Sequence, residues 1–418
     1  MHEIQLKPSS ANESSKTILI IDPISSCQYL SDSFKKHKIR TIALFTKPLN
    51  KIDEYMRPDE NFFDKQIFVE MKNAQDIAPI VKHPELSSTR FDFIINGNEA
   101  STAITDRVVG VLLPDYANNP DTSHFRSCKW SMQEALKKAG LPHIEQRLLS
   151  PASIDGINDL PLAYPVFCKP LGGCGSMGVF RAEKFDDIRQ YFKANPTGAE
   201  YLAQRLIDGV EYIVDAVSID GVHYISCVFQ SLKMDFNGTP LYRQTRVIDT
   251  PEIWSRLARQ AKETLTALEV KNGFTHNEFM QAADGTLYLL ECNNRNSGGK
   301  GVLSIAASAC GFKSYDRLLR DHLHGSLVES AFSDKQGYAT ILAIYKTNRM
   351  HAPERFTEIV GAMPGIKHIT MLGNDTTYDA SHKLSLCDAF SFIVVQDEDC
   401  NRLKETANCI FELENLPD

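Results

Sequence analysis

The chain has 418 residues, enough for two or three domains with their own cores. Its 45 basic and 53 acidic residues give a formal charge of -8 with no basic run, which argues against a nucleic-acid partner. No stretch approaches the roughly 20 apolar residues that cross a bilayer, and the ten cysteines form no CxxC pair, so the sequence predicts a cytoplasmic protein with reduced thiols and no membrane partner.

Residues 1–16 are polar and lack the basic-then-apolar layout of a signal peptide, so a disordered tail is expected there. The run Thr17–Asp22 is apolar up to its last residue, as a buried parallel strand would be. Strands at Thr41–Phe45, Ile67–Val69 and Phe91–Ile95 alternate with helix-length segments, which predicts a doubly wound α/β domain over residues 17–122. The loop after the last of these strands carries Glu99, at the end of the sheet where ligands commonly bind. Ser127–Ala139 reads as a helix stopped by Gly140 and Pro142. Farther on, Asp220-Gly221 and Asp284-Gly285 each interrupt alternating runs and predict hairpins.

Two segments carry chemistry. Lys169 ends an apolar strand and runs into Gly172-Gly173-Cys174-Gly175-Ser176, where backbone N–H groups can approach phosphate oxygens closely. The loop is neither a Walker A sequence nor a dinucleotide fingerprint, and Lys169 could instead be an edge lysine reaching solvent. About a hundred residues on, His276 and Glu278 precede the Asp-Gly turn, and Glu291, Asn293 and Arg295 follow it. Strand period two puts the last three on one face if the strand stays extended, with Glu278 across the hairpin. Facing carboxylates repel unless a cation lies between them, so either a metal site or a solvated hairpin results. His276 could bind substrate, move a proton or only pack. The cysteines near these segments read as packing residues.

With these motifs in order, the chain resembles the ATP-grasp superfamily of carboxylate–amine ligases, from about residue 17 to its end. The resemblance implies an ATP-grasp fold of mixed class, α/β first and α+β in the C-terminal half, with a small lid domain over 123–205 and a large domain over 206–418 that includes a C-terminal subdomain from about 335. It implies an ATP site from Lys129, Lys169, Gly173, Gly175 and Ser176, with the hinge Gln204, Arg205, Leu206 and Ile207 reading adenine and Glu211 taking the ribose. Many members carry a glutamate where Gln204 stands. Glu278, Glu291 and Asn293 would hold Mg2+, two ions by analogy, with Mn2+ as a substitute, and Arg295 would hold the transferred phosphate. Spacing around His276 and Arg295 is similar to bacterial L-amino acid ligases, which implies amino acid substrates and a dipeptide product. Substrate contacts would come from Glu99, His276, Tyr242 and Arg243. Relatives of this kind are commonly homodimers, though no stripe in this sequence marks an interface. Alternatives are an ATP-grasp carboxylase or purine-pathway ligase, without a Met-Lys-Met biotin acceptor here, and a non-catalytic nucleotide-binding regulator.

Overall fold

The computed structural model describes residues 16–52, 56–73, 75–151, 154–171, 178–196, 198–236, 239–328, 336–345, 353–372 and 386–414. Gly173, Gly175 and Ser176 of the expected phosphate loop, and the polar tail apart from Lys16, lie outside these residues.

Three sheets form around five apolar cores. The first sheet is parallel: β1 (Thr17–Ile21), β2 (Arg40–Phe45), β3 (Lys65–Phe68) and β4 (Phe93–Asn96), in the order β3-β2-β1-β4. Both faces of β1 are buried, as its unbroken apolar run demands. Helices α1 (Cys27–Lys36), α2 (Ala78–Val81), α3 (Pro84–Ser88) and α4 (Thr102–Leu112) belong to this part. Asp22, just past β1, accepts hydrogen bonds from the Thr46 N–H and hydroxyl, both at 2.7 Å, and from Ser101. That ties the three loops at one sheet end together. Gly97 lies against this knot: a Cβ there would stand 2.6 Å from the Asp22 carbonyl oxygen.

Helix α5 (Lys129–Lys138) leads into a small antiparallel sheet of β5 (Gln146–Leu149), β6 (Val166–Pro170), β7 (Phe180–Ala182) and β8 (Tyr201–Arg205), ordered β5-β8-β6-β7. Helix α6 (Phe185–Ala194) packs on it through Phe185, Ile188 and Phe192.

The third sheet has eight strands, ordered β13-β12-β9-β10-β11-β14-β16-β15. Its hairpin strands β9 (Gly209–Ile219) and β10 (Val222–Phe236) turn at Asp220-Gly221, where both residues have positive φ. β11 (Thr239–Val247), helix α7 (Pro251–Ala267), β12 (Gly273–Ala282) and β13 (Leu287–Asn293) follow. After α8 (Val302–Ala309) and α9 (Tyr315–Leu323), β14 (Tyr338–Tyr345) pairs with β11. The C-terminal part therefore extends the large sheet. It also contains α10 (Pro353–Gly361), β15 (Ile366–Met371), β16 (Ala389–Asp397) and α11 (Cys400–Leu413).

Buried polar side chains join the first part of the chain to the large sheet. Arg126, fully buried, pairs with Asp106 at 2.7 Å and donates to the Leu268 carbonyl. The Asn118 side-chain oxygen accepts from the N–H groups of Lys271 and Asn272, each at 2.8 Å. Such buried hydrogen bonds fix the two parts relative to one another. No helix among the described residues is long and apolar enough to cross a membrane.

Candidate active site

The β12–β13 hairpin sets the centre. Its register pairs Glu278 directly with Glu291 and His276 with Asn293. Helix α5 is clamped against β13 because the Gln133 side chain donates to the Leu289 carbonyl and accepts from the Ile144 N–H, both at 2.7 Å. One turn earlier on that helix, Lys129 places its ammonium 2.5 Å from Glu291. Burial works against the Lys129 charge, but Glu291 outweighs it and holds the proton above the ordinary lysine range.

The two carboxylates are driven apart in proton affinity. Burial raises Glu291, and Glu278 and Glu99 add to this against the pull of Lys129. Glu278 is also penalised by burial, yet the neighbouring His276, with Lys233 and Arg295, lowers it to about 2. His276 lies between carboxylates: Nδ1 is 2.7 Å from Asp215 and Nε2 is 3.5 Å from Glu278. Burial disfavours its charge, but those two partners raise the imidazole to about 9. The structure thus links His276 to the carboxylate two residues on and to a buried acid on β9.

On one side of the hairpin is a cavity of about 530 Å³. Lys129, Lys169, Glu278 and Glu291 line it, and so do Gln204, Arg205, Leu206, Ile207, Glu211 and Tyr242. Burial lowers Lys169 to about 8, with Glu291 opposing and Lys129 adding to the effect. Glu211 is held by Lys233 at 2.5 Å and by the Tyr242 hydroxyl at 2.9 Å. The Gln204 amide donates to Gln146 at 3.1 Å, which binds this side chain into the small sheet. The Arg205 N–H goes to the Glu145 carbonyl at 2.9 Å, and Arg205 lies over the Tyr288 ring.

A second cavity, about 590 Å³, includes Glu99 and Arg295. Their side chains meet at 3.2 Å, and Arg295 also reaches the Asn293 amide oxygen at 3.5 Å. β13 ends at Asn293, so Arg295 does not continue an extended strand; it arrives beside Asn293 through a tight turn in which its N–H donates to the Asn293 carbonyl at 2.8 Å. Met56 from the first part of the chain and Leu372, Leu386 and Phe392 from the C-terminal part give this cavity apolar walls.

Arg243 is not brought to either cavity. It forms a bidentate pair with Glu414 at 2.7 and 2.5 Å and stacks on Phe411 at 3.7 Å. β11 is bulged at Arg243, since Tyr242 pairs with Lys233 and Gln244 with Leu232. Tyr242 lines the cavity beside Lys233, and Arg243, left without a pairing partner on β10 by the bulge, turns to Glu414.

Some residues escaped the sequence reading. Asp215, only 2% exposed in the middle of apolar β9, is the partner of His276. A carboxylate inside an apolar run was the available signal. Lys233 in the first cavity and Lys300 in the second sit in segments whose patterns marked nothing special.

Among the described residues, no three His, Cys, Asp or Glu gather as a metal cage. The hairpin offers two carboxylates in register and one amide oxygen. An all-oxygen set too small to enclose an ion fits Mg2+, which keeps sites for water and phosphate oxygens.

Comparison with known proteins agrees with this geometry. Residues 127–299 match the model of an ATP-grasp domain. Dapdiamide A synthase of Enterobacter agglomerans is 26% identical over 243 residues, covering 55% of this chain and 56% of that protein. D-alanine--D-alanine ligase of Neisseria gonorrhoeae is 26% identical over 160 residues, covering 37% of this chain and 52% of that protein. The matches thus span about half the length of these curated relatives. Among solved structures, the L-amino acid ligase from Bacillus licheniformis superposes with a TM-score of 0.75 at 14% identity, covering 96% of this chain and 98% of that one. N5-carboxyaminoimidazole synthase from Aspergillus clavatus reaches 0.69 at 16% identity, covering 96% and 98%. Both are likenesses of fold.

Proposed function

Residues 127–299 form an ATP-grasp domain, and from that premise we propose that the protein is an ATP-dependent ligase joining a carboxylate to an amine, with two L-amino acids coupled into a dipeptide. The observation that carries this reading is the pair of hairpin carboxylates at one cavity, with a second cavity at the Arg295 turn just beyond β13. The first cavity has lysines and a strand-end hinge suited to a nucleotide, and the other has a Glu99–Arg295 pair suited to a zwitterion.

In the proposed reaction, Lys129 and Lys169 hold the ATP phosphates and Glu211 receives the ribose hydroxyls. Glu278, Glu291 and Asn293 would hold Mg2+, two ions by analogy, with Mn2+ as a substitute, and the metal would supply neutralisation of phosphate charge. The substrate carboxylate attacks the γ-phosphorus, ADP leaves, and an acyl phosphate forms. Arg295 steadies its oxygens, where a planar guanidinium fits the geometry. Glu99 takes the ammonium group of the same substrate. The second amino acid then attacks the acyl carbon through its neutral amine, and phosphate departs as the amide forms. His276, fixed by Asp215, orients Glu278. Such catalysis is mainly positioning and electrostatics. ATP use and the free cysteines among the described residues suit a cytoplasmic setting.

A carboxylase acting on bicarbonate is the second reading, favoured by the fold likeness to N5-carboxyaminoimidazole synthase. Against it stand the apolar walls from Met56, Leu372, Leu386 and Phe392. These suit a hydrocarbon side chain and are wasted on bicarbonate. The deciding experiment measures phosphate release from ATP with Mg2+ for the amino acids singly and in pairs, with mass spectrometry of products. A product of two amino acids less water supports the dipeptide reading. Release with bicarbonate alone would replace it.

A further inference from the structure

The second cavity contains a cation that the reaction above does not use. Lys300 lies in Gly298-Gly299-Lys300-Gly301, the loop between β13 and α8, and lines the cavity with Glu99 and Arg295. The loop is built rather than loose. The Lys300 N–H donates to the Ser25 hydroxyl at 3.4 Å and the Gly301 N–H to the Ser26 hydroxyl at 2.8 Å. Gly301, at φ +92, is pressed onto α1, where an added Cβ would stand 2.6 Å from the Tyr29 Cβ. Lys300 itself has φ 54, a left-handed backbone that a lysine rarely adopts.

Charge balance gives this lysine a task. Among the described residues, the charged side chains lining the cavity are Glu99, Arg295 and Lys300. Glu99 and Arg295 neutralise one another at 3.2 Å. No ion pair engages Lys300 among the described residues, and burial pushes its ammonium below the ordinary lysine range. The cavity therefore has an unbalanced positive charge beside apolar walls. An α-amino acid that attacks through a neutral amine carries a carboxylate into this same space. Left unpaired in such surroundings, that charge would weaken binding strongly.

We propose that Lys300 is the receptor for the free carboxylate of the amine substrate, and that it selects α-amino acids over simple amines and amino acid amides. The assignment rests on the ligase reading. One charge-assisted hydrogen bond at a desolvated site discriminates by about tenfold or more.

The test compares kcat/KM for one amino acid acceptor and for its carboxamide, in wild type, Lys300→Gln and Lys300→Arg, with products identified by mass. Wild type should prefer the free acid by at least about tenfold, Lys300→Gln should bring the ratio near one, and Lys300→Arg should keep the preference. An unchanged ratio in Lys300→Gln overturns the assignment, as does a wild type that uses the amide equally well. Hydroxylamine serves as a separate acceptor in the wild type. Acid-dependent ADP and hydroxamate formation there, with an unaltered Lys300→Gln ratio, would sink the Lys300 assignment alone. Absence of both products with every acid would sink the ligase reading and this inference together.

Discussion

The Lys129 ammonium stands 2.5 Å from the Glu291 carboxylate, which in turn faces Glu278 directly across the hairpin. One lysine from the first turn of a helix thus pairs with one of two facing carboxylates, while His276 holds the other. The same lysine is assigned to ATP phosphate, so nucleotide binding and carboxylate pairing draw on one cation.

If that is so, removing the lysine makes the site hungry for metal. Lys129→Met should lose stability on the order of 2–3 kcal/mol, because a half-buried carboxylate loses its charged partner. Millimolar Mg2+ without nucleotide should then raise the melting temperature more in the variant than in the wild type. Equal metal responses in differential scanning calorimetry would contradict the shared-cation account.

Glu291→Gln should cut ADP formation by about a hundredfold or more while circular dichroism keeps the wild-type fold, with Tm lowered because buried Lys129 loses its charged partner. The amide keeps the shape of the side chain and removes the charge that would hold the metal. Turnover near the wild-type rate would show that the metal donors have been misassigned.

The lowered Lys169 pKa gives a pH prediction. The group has a pKa of about 8 in the protein against its ordinary value of 10.5, burial being the main cause. Below pH 8 the ammonium is present and binds phosphate. As pH rises through 8 the free protein loses that charge, so ATP must supply the energy of reprotonation. The ATP Kd should be flat below about pH 8 and climb above it, by up to tenfold per pH unit. Lys169→Arg, with a guanidinium that stays charged, should flatten the climb. Titration calorimetry with a non-hydrolysable ATP analogue at pH 7 to 9.5 would reveal whether the wild-type curve bends.

Arg243 should matter for stability alone. Its pairing with Glu414 and its stacking on Phe411 tie β11 to the C-terminal helix. Arg243→Ala leaves Glu414 without its partner, at a cost of about 2–4 kcal/mol in chemical denaturation, with kcat/KM unchanged. A specific loss of substrate affinity would return Arg243 to the site.

Much of the fold is written locally. The apolar run Thr17–Ile21, the Asp-Gly turns at 220–221 and 284–285, and the stop at Gly140 give strands, hairpins and a helix end through short-range sterics and burial. The facing of Glu278 and Glu291 is only partly local: the turn's register would put Leu290 opposite Glu278, and a bulge between Glu278 and Phe279 brings Glu291 there instead. The order of sheet strands is less local. β14 joins β11 across 90 or more residues, a pairing that no short pattern specifies.

What the sequence determined by itself is therefore the set of chemical groups and their local spacing: two carboxylates and an amide around one turn, lysines before a glycine loop, and the family these resemble. What only the tertiary structure decided is which other groups meet them. Glu99 reaches Arg295 from 196 positions away, and Asp215 reaches His276 from 61. Arg243 turned away although its neighbour Tyr242 turned in, and Lys300 entered a cavity that its glycine-rich surroundings did not announce. Periodicity tells which residues share a face, but not what that face is packed against. That choice is made by long-range burial and charge pairing, summed over the whole chain.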